Sequence, residues 1–244
     1  MSHDTLIFLF LSVVVIAFLY SSVGHAGASG YIAIMSLFNI VPSEIKPAAL
    51  TLNIIVSVIG SWQFYRTGHF SWKLFWPFAL LAVPLAYVGG RMHLPIHIFK
   101  MFIGVVLFLS ALQLLFRLKE NDNPQPPSQW IALCIGVFLG LLSGMIGVGG
   151  GIFLTPLLIL MNWATTRKAA ATSALFILVN SISGLAGTLS SAQKIPSFTV
   201  TLAWAVIAGG FFGSYLGSRR LSHVVIKRLL AVVLIIAAYK MIFI

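Results

Sequence analysis

Acid is nearly absent from this sequence. Asp4, Glu44, Glu120 and Asp122 are its four carboxylate side chains, set against fifteen lysines and arginines in 244 residues. Charge of either sign is sparse, at 8% of residues, where a soluble domain carries roughly 25%. So few charges cannot cover the surface of a water-soluble fold of this length. A single cysteine, Cys134, excludes an internal disulfide; lying in the apolar run Ile131–Leu142, it is expected to pack in the core. Neither a metal nor a cofactor is expected. Carriers of cations and many proton pumps place Asp or Glu at membrane depth. Here no carboxylate falls clearly inside an apolar segment, Glu44 near an end coming closest, so a cation would lack its counter-charge and an anion would not. The basic residues form no stripe between the hydrophobic segments, which argues against nucleic acid as a partner. The opening MSHDTLIFLF lacks the basic region and cleavage site of a secretory signal, and reads as a first span.

What fills the chain instead is apolar, at 59% of residues. With about 20 residues needed per crossing, there is room for roughly eight to ten membrane segments and little else. Apolar runs cover Thr5–Ser22, Tyr31–Val41, Ala48–Tyr65, Leu74–Gly89 and Phe99–Phe116. They recur as Trp130–Leu142, Ile152–Met161, Ala169–Leu189, Phe198–Leu216 and Val224–Ile244. Between the two sets lies the one polar, proline-rich stretch, so residues 1–116 read as a first transmembrane repeat, 117–129 as a linker and 130–244 as a second repeat. Residue matches support the duplication. Gly24, Gly27 and Gly30 align with Gly144, Gly147 and Gly150, and Tyr87-Val-Gly-Gly-Arg91 parallels Tyr215-Leu-Gly-Ser-Arg219. The expected fold is an all-α polytopic membrane protein of two homologous halves, each with a Gly-broken helical hairpin plus three further spans. Four full spans per half would give parallel repeats, and five would give inverted ones. The distribution of Lys and Arg between the two sides leans towards inverted repeats.

Tyr31–Val41 and Ile152–Met161 are too short to cross comfortably, and each follows a glycine-rich break. Paired broken segments in corresponding positions of two halves point to a transporter's binding site. Gly147, Gly149, Gly150 and Gly151 precede a short helix whose free N–H groups and positive dipole end face back at the turn, forming an anion cradle made of backbone. Gly24, Gly27, Ser29 and Gly30 supply the counterpart in the first half. Close helix packing between small residues is the plainer role for such glycines. His25, beside the first break, can donate a hydrogen bond to an anion or carry a proton with it, or it can rest neutral against a carbonyl. Asn53 and Ser57 share one helix face, and Thr172, Ser173, Asn180 and Ser181 occupy the equivalent span, as substrate contacts or as interhelical hydrogen bonds. Arg91 and Arg219, at span ends, look like interfacial anchors.

The duplicated pattern, with SSVGHAGASG in one half and LSGMIGVGGGIFLTPLL in the other, resembles the TauE/SafE family of sulfite and organosulfonate exporters. The resemblance covers nearly the whole chain. It implies movement of sulfite, sulfoacetate or related sulfur-containing anions across a bacterial cytoplasmic membrane. The expected function is a secondary transporter, an exporter and not an enzyme, with coupling to protons or another ion and homo-oligomers left open. A passive anion channel would use the same turns and polar faces. An intramembrane serine protease built on Gly27-Ala-Ser29-Gly30 would need a histidine base on another span, and the sequence offers none at that depth.

Overall fold

Glycine, asparagine and proline divide the apolar runs into helices. The computed structural model describes residues 3–92, 108, 111, 112, 115 and 124–243, and its regular elements there are helices. These are α1 (His3–Ser22), α2 (Ala28–Leu37), α3 (Pro42–Arg66), α4 (Trp72–Arg91), α5 (Gln129–Ile146), α6 (Gly151–Leu160), α7 (Thr166–Ser190), α8 (Phe198–Arg219) and α9 (His223–Phe243). Five are long and apolar enough to cross a membrane by length and composition, falling in α3, α4, α5, α7 and α8. The expected span Phe99–Phe116 and most of the expected linker lie outside the described residues.

Local signals explain the boundaries. Pro42 sits at the first position of α3, where its missing N–H costs nothing. Thr165 caps α7 by accepting from Lys168 N, and Ser128 caps α5 by accepting from Ile131 N. The short helices α2 and α6, of ten residues each, both start after a left-handed glycine and stop before a left-handed asparagine. The starting glycines are Gly27 and Gly150, and the stopping residues are Asn39 and Asn162. Asparagine tolerates that conformation better than most residues with a side chain.

These landmarks recur at a spacing different from that of the expected alignment. Gly27 corresponds to Gly150, Gly24 to Gly147, and Asn39 to Asn162 in backbone conformation. The matching is therefore three residues away from the one that paired Gly27 with Gly147. Gly30 is not in the turn at all. It lies inside α2, where a Cβ would meet Ile16 Cγ2 at 2.5 Å, so it serves the packing of α2 on α1. Cys134, expected in the core, is exposed on the surface of α5.

Close backbone approach through small residues assembles the bundle, as expected where lipid removes the hydrophobic drive between helices. A Cβ placed on Gly136, Gly140 or Gly144 of α5 would strike Phe78, Ala82 or Ala86 of α4, in that order. The two helices therefore run in the same direction. In the same way Gly209, Gly213 and Gly217 of α8 lie against Val14, Phe18 and Ser22 of α1. At the centre α3 and α7, each of 25 residues, run antiparallel. Leu50 lies against Gly184, Asn53 reaches Ser181, and Gly60 faces Ala174. Each helix pair thus joins an early element to a late one.

Candidate functional site

The α3–α7 crossing carries the polar residues, and both glycine turns fold onto it. Asn53 of α3 is fully buried and ties several elements together. Its Oδ1 accepts from the amide of Ala28, the first residue of α2, at 3.0 Å, and its Nδ2 donates to Ser181 Oγ of α7 at 3.5 Å. A Cβ on Gly149 would stand 3.0 Å from that Nδ2 and 2.9 Å from Ser181 Oγ. Only a glycine lets the backbone come so near, and its φ of 75° suits glycine as well.

His25 bridges the two hairpins. From the turn after α1 its Nε2 lies 2.8 Å from Thr155 Oγ1 of α6, and its ring interacts with the Gly151 backbone. Behind Gly150, a Cβ would meet Phe176 Cε1 at 2.9 Å and Ser143 Cβ at 3.3 Å. Gly151 packs on Ile177 and the Ser173 carbonyl. The structure therefore brings His25, Asn53, Gly149, Gly150, Gly151 and Ser173 to one place, together with Ser143, Thr155 and Ser181.

The two turns are not equivalent in what they leave open. In the first, Asn53 occupies the Ala28 amide, and Ser29 Oγ donates to Tyr20 Oη at 3.0 Å. In the second, the apolar side chain of Ile177 packs on Gly151 and offers that turn no acceptor. The amides of Val148, Gly149 and Gly150 have no hydrogen-bond partner among the described residues, and those of Ala26 and Gly27 in the first turn have none either. Beside that turn, His25 Nδ1, Ser143 Oγ and Ser173 Oγ are buried with no hydrogen bond, as are Thr172 Oγ1 and Asn180 Oδ1 elsewhere on α7. An unmet buried polar group costs about 1–3 kcal/mol, so such a concentration calls for an explanation such as a ligand or water.

Other expected site residues sit elsewhere or are engaged. Ser57 Oγ donates to the Asn53 carbonyl of its own helix at 2.6 Å, and Asn180 Nδ2 to Phe176 O at 3.0 Å. Gly24 faces Ala170, and Gly147 faces the stem of Lys46. Arg91 and Arg219 lie over the rings of Tyr87 and Tyr215 of their own helices, at 6.0 and 5.0 Å.

Sequence reasoning passed over Thr155, Ser143 and Lys46. Thr155 lies four residues after Gly151, so a hydroxyl one turn into α6 was a readable signal. Lys46 looked like one more cation at a span end. It is half-buried, and its Nζ donates to the Gly90 carbonyl at the end of α4 at 2.9 Å.

A family model described as Sulfite exporter TauE/SafE matches residues 9–241. Among curated proteins, the probable membrane transporter protein y4hK of Sinorhizobium fredii is 40% identical over 232 residues, covering 93% of this chain and 94% of that protein. The probable membrane transporter protein YdhB of Bacillus subtilis is 25% identical over 206 residues, covering 81% and 82% of the two chains. No solved structure matches the chain.

Proposed function

The chain belongs to the TauE/SafE sulfite exporter family, and from that membership we propose a secondary transporter of small sulfur-containing anions such as sulfite or an organosulfonate. One anion sits at the α3–α7 crossing. The amides of Val148–Gly150 and the hydroxyls of Ser143 and Ser173 face it, with His25 and the Asn53 amide at its edge. The observation that carries this reading is the pair of buried, unbonded hydroxyls of Ser143 and Ser173 beside a glycine turn that leaves its own amides unpaired. An anion can satisfy them all, since it accepts from every direction, and the positive end of α6 adds to the attraction.

The halves of this transporter are inverted repeats of five segments each, with residues 117–129 as the linker. Antiparallel packing of α3 against α7 supports this reading, because they are matched elements of equal length. So does the reciprocal pairing of α1 with α8 and of α5 with α4. Rocking of one half against the other would expose the anion to each side in turn. Arg66, Lys73, Arg167, Lys168, Arg219, Arg220 and Arg228 fall at one end of the bundle, and Lys46, Arg91 and Lys194 at the other. The positive-inside rule then makes the first end cytoplasmic, in a bacterial inner membrane.

Uptake of radiolabelled sulfite or sulfoacetate into proteoliposomes, with and without a pH gradient, tests the proposal. Saturable flux is expected, and Gly150→Leu should abolish it, because a side chain there enters the space of Phe176 and Ser143. Fast, non-saturating flux would instead mark a passive channel. Wild-type flux in Gly150→Leu would move the site elsewhere.

A further inference from the structure

The central crossing is nearly symmetric, but its two mouths differ in charge. On α3, Lys46 is the fifth residue, and its side chain lies over the left-handed Gly147, where a Cβ would stand 3.1 Å from Lys46 Cγ. The fifth residue of α7 is Ala170, which lies over the left-handed Gly24 in the matching way, a Cβ there standing 2.6 Å from Ala170 Cβ. Since α3 and α7 are antiparallel, these two positions face opposite ends of the bundle. One glycine turn is therefore approached past an ammonium and the other past a methyl group.

Lys46 is well placed to meet an anion. One of its three N–H donors goes to the Gly90 carbonyl, which also accepts from Thr188 Oγ1 at 3.3 Å. The Thr188 hydroxyl also lies 2.8 Å from Gly184 O, and its one hydrogen can turn to Gly90 O when the lysine swings away. Glu44 is exposed, and no carboxylate forms an ion pair with Lys46 among the described residues. From Lys46 to Asn53 is seven residues along α3, about 10 Å at the helical rise. Leu50 fills the turn between them and also touches the position of Gly147. Ammonium, glycine turn and central amides thus form a path from one end of the bundle inward.

We infer that Lys46 is a one-sided anion-binding station, which receives the small anion at the mouth opposite the arginine-rich end and trades its bond to Gly90 for one to the cargo. This rests on the transport reading above and adds to it a sidedness. A charge-assisted hydrogen bond made only in the state open to that mouth raises affinity there and leaves the other mouth unchanged. Salt should weaken the effect, because the group is only half-buried.

The test uses full-length protein in proteoliposomes of defined orientation, with radiolabelled sulfite varied on one side at a time. Lys46→Met should raise KM about tenfold from the Lys46 side, the loss of one charge-assisted hydrogen bond. KM from the arginine-rich side and the melting temperature in detergent should stay as in wild type, and Lys46→Arg should retain most of the affinity. Equal KM values for Lys46→Met and wild type on the Lys46 side would overturn the inference. An equal rise from both sides with a lower melting temperature would also overturn it, making Lys46 a structural tie between α3 and α4. Absence of sulfite and sulfoacetate flux in wild type would instead count against the transport reading, and would remove the cargo on which this inference depends.

Discussion

Single residues at this protein's polar positions do unlike jobs despite similar surroundings. Asn53 and Ser57 share a face of α3, yet Asn53 links three elements and Ser57 bonds its own helix. His25 and His69 differ as sharply. His25 is buried at the crossing, whereas His69 lies in the turn between α3 and α4, half-buried beside Arg167 and Lys168. Burial first, then the positive field of those two side chains, lowers the pKa of His69, with a bond to the Ser218 backbone opposing. The folded state thus holds this proton less tightly than the unfolded chain, whose histidines titrate near about 6.5. Above that pH His69 makes no difference to stability. As pH falls through it, the unfolded chain takes up protons that the folded one resists, and stability is lost. Between pH 7.5 and 5.5, chosen to bracket about 6.5, the melting temperature of wild type should fall further than that of His69→Gln. Parallel falls in the two proteins would show that the field at His69 has no such effect.

Elements are set by glycine in two ways, and the sequence distinguishes them poorly. Left-handed Gly27 and Gly150 start the short helices, while Gly136, Gly140 and Gly144 let α5 lie directly on α4. Gly140→Leu would push into the Ala82 backbone, a contact that no rotamer change relieves. The expected cost is about 1–3 kcal/mol or more, seen as a lower melting temperature and less protein extracted in folded form. Gly68, with no atom within 4 Å of its added Cβ, provides the contrast. Its φ of 74° limits the cost of Gly68→Ala to backbone strain of about 1 kcal/mol. Helix lengths and the broken hairpins were legible in the sequence, because runs of apolar residues and clusters of glycine report them directly. The register between the halves was not. Gly24, Gly27 and Gly30 repeat every three residues, as do Gly144, Gly147 and Gly150, so a shift by three still aligns glycine with glycine. Asn39 and Asn162, both left-handed, resolve the ambiguity, but their backbone conformation is not visible in composition. Lys46 was missed for a related reason, since a cation at the start of a span usually marks only the lipid interface.

At the scale of the whole molecule, the arrangement of charge predicts sidedness. In a variant whose single native thiol is replaced (Cys134→Ser), a cysteine introduced at Lys194 should react with a membrane-impermeant maleimide in intact cells. One introduced at Arg220 should react only after the membrane is opened. The reverse pattern would invert the molecule, and equal labelling of both would contradict antiparallel packing of the two ends. The proposed rocking would turn about the crossing of α3 and α7, where the early and late helices meet near the centre of the described residues. Position by position, the candidate site was partly readable: the glycines, His25 and Asn53 stood out as polar or small residues in apolar runs. Thr155, Ser143 and the unequal closure of the two turns depend on which helix lies beside which, and that is a property of the assembled bundle.

Reciprocal pairing has a consequence for how the chain is made. α1 leaves the ribosome long before its partner, because the surface it packs against belongs to α8, which appears nearly two hundred residues later. Until then the small-residue face of α1 has only lipid or an insertion factor for company, and α4 likewise waits for α5. Synthesis of the first half alone leaves a membrane intermediate without its main helix partners, open to capture by quality-control proteases. Supplying the second half as a separate chain in the same cell should rescue it, since the seams between α1 and α8 and between α4 and α5 contain the tightest glycine contacts among the described residues.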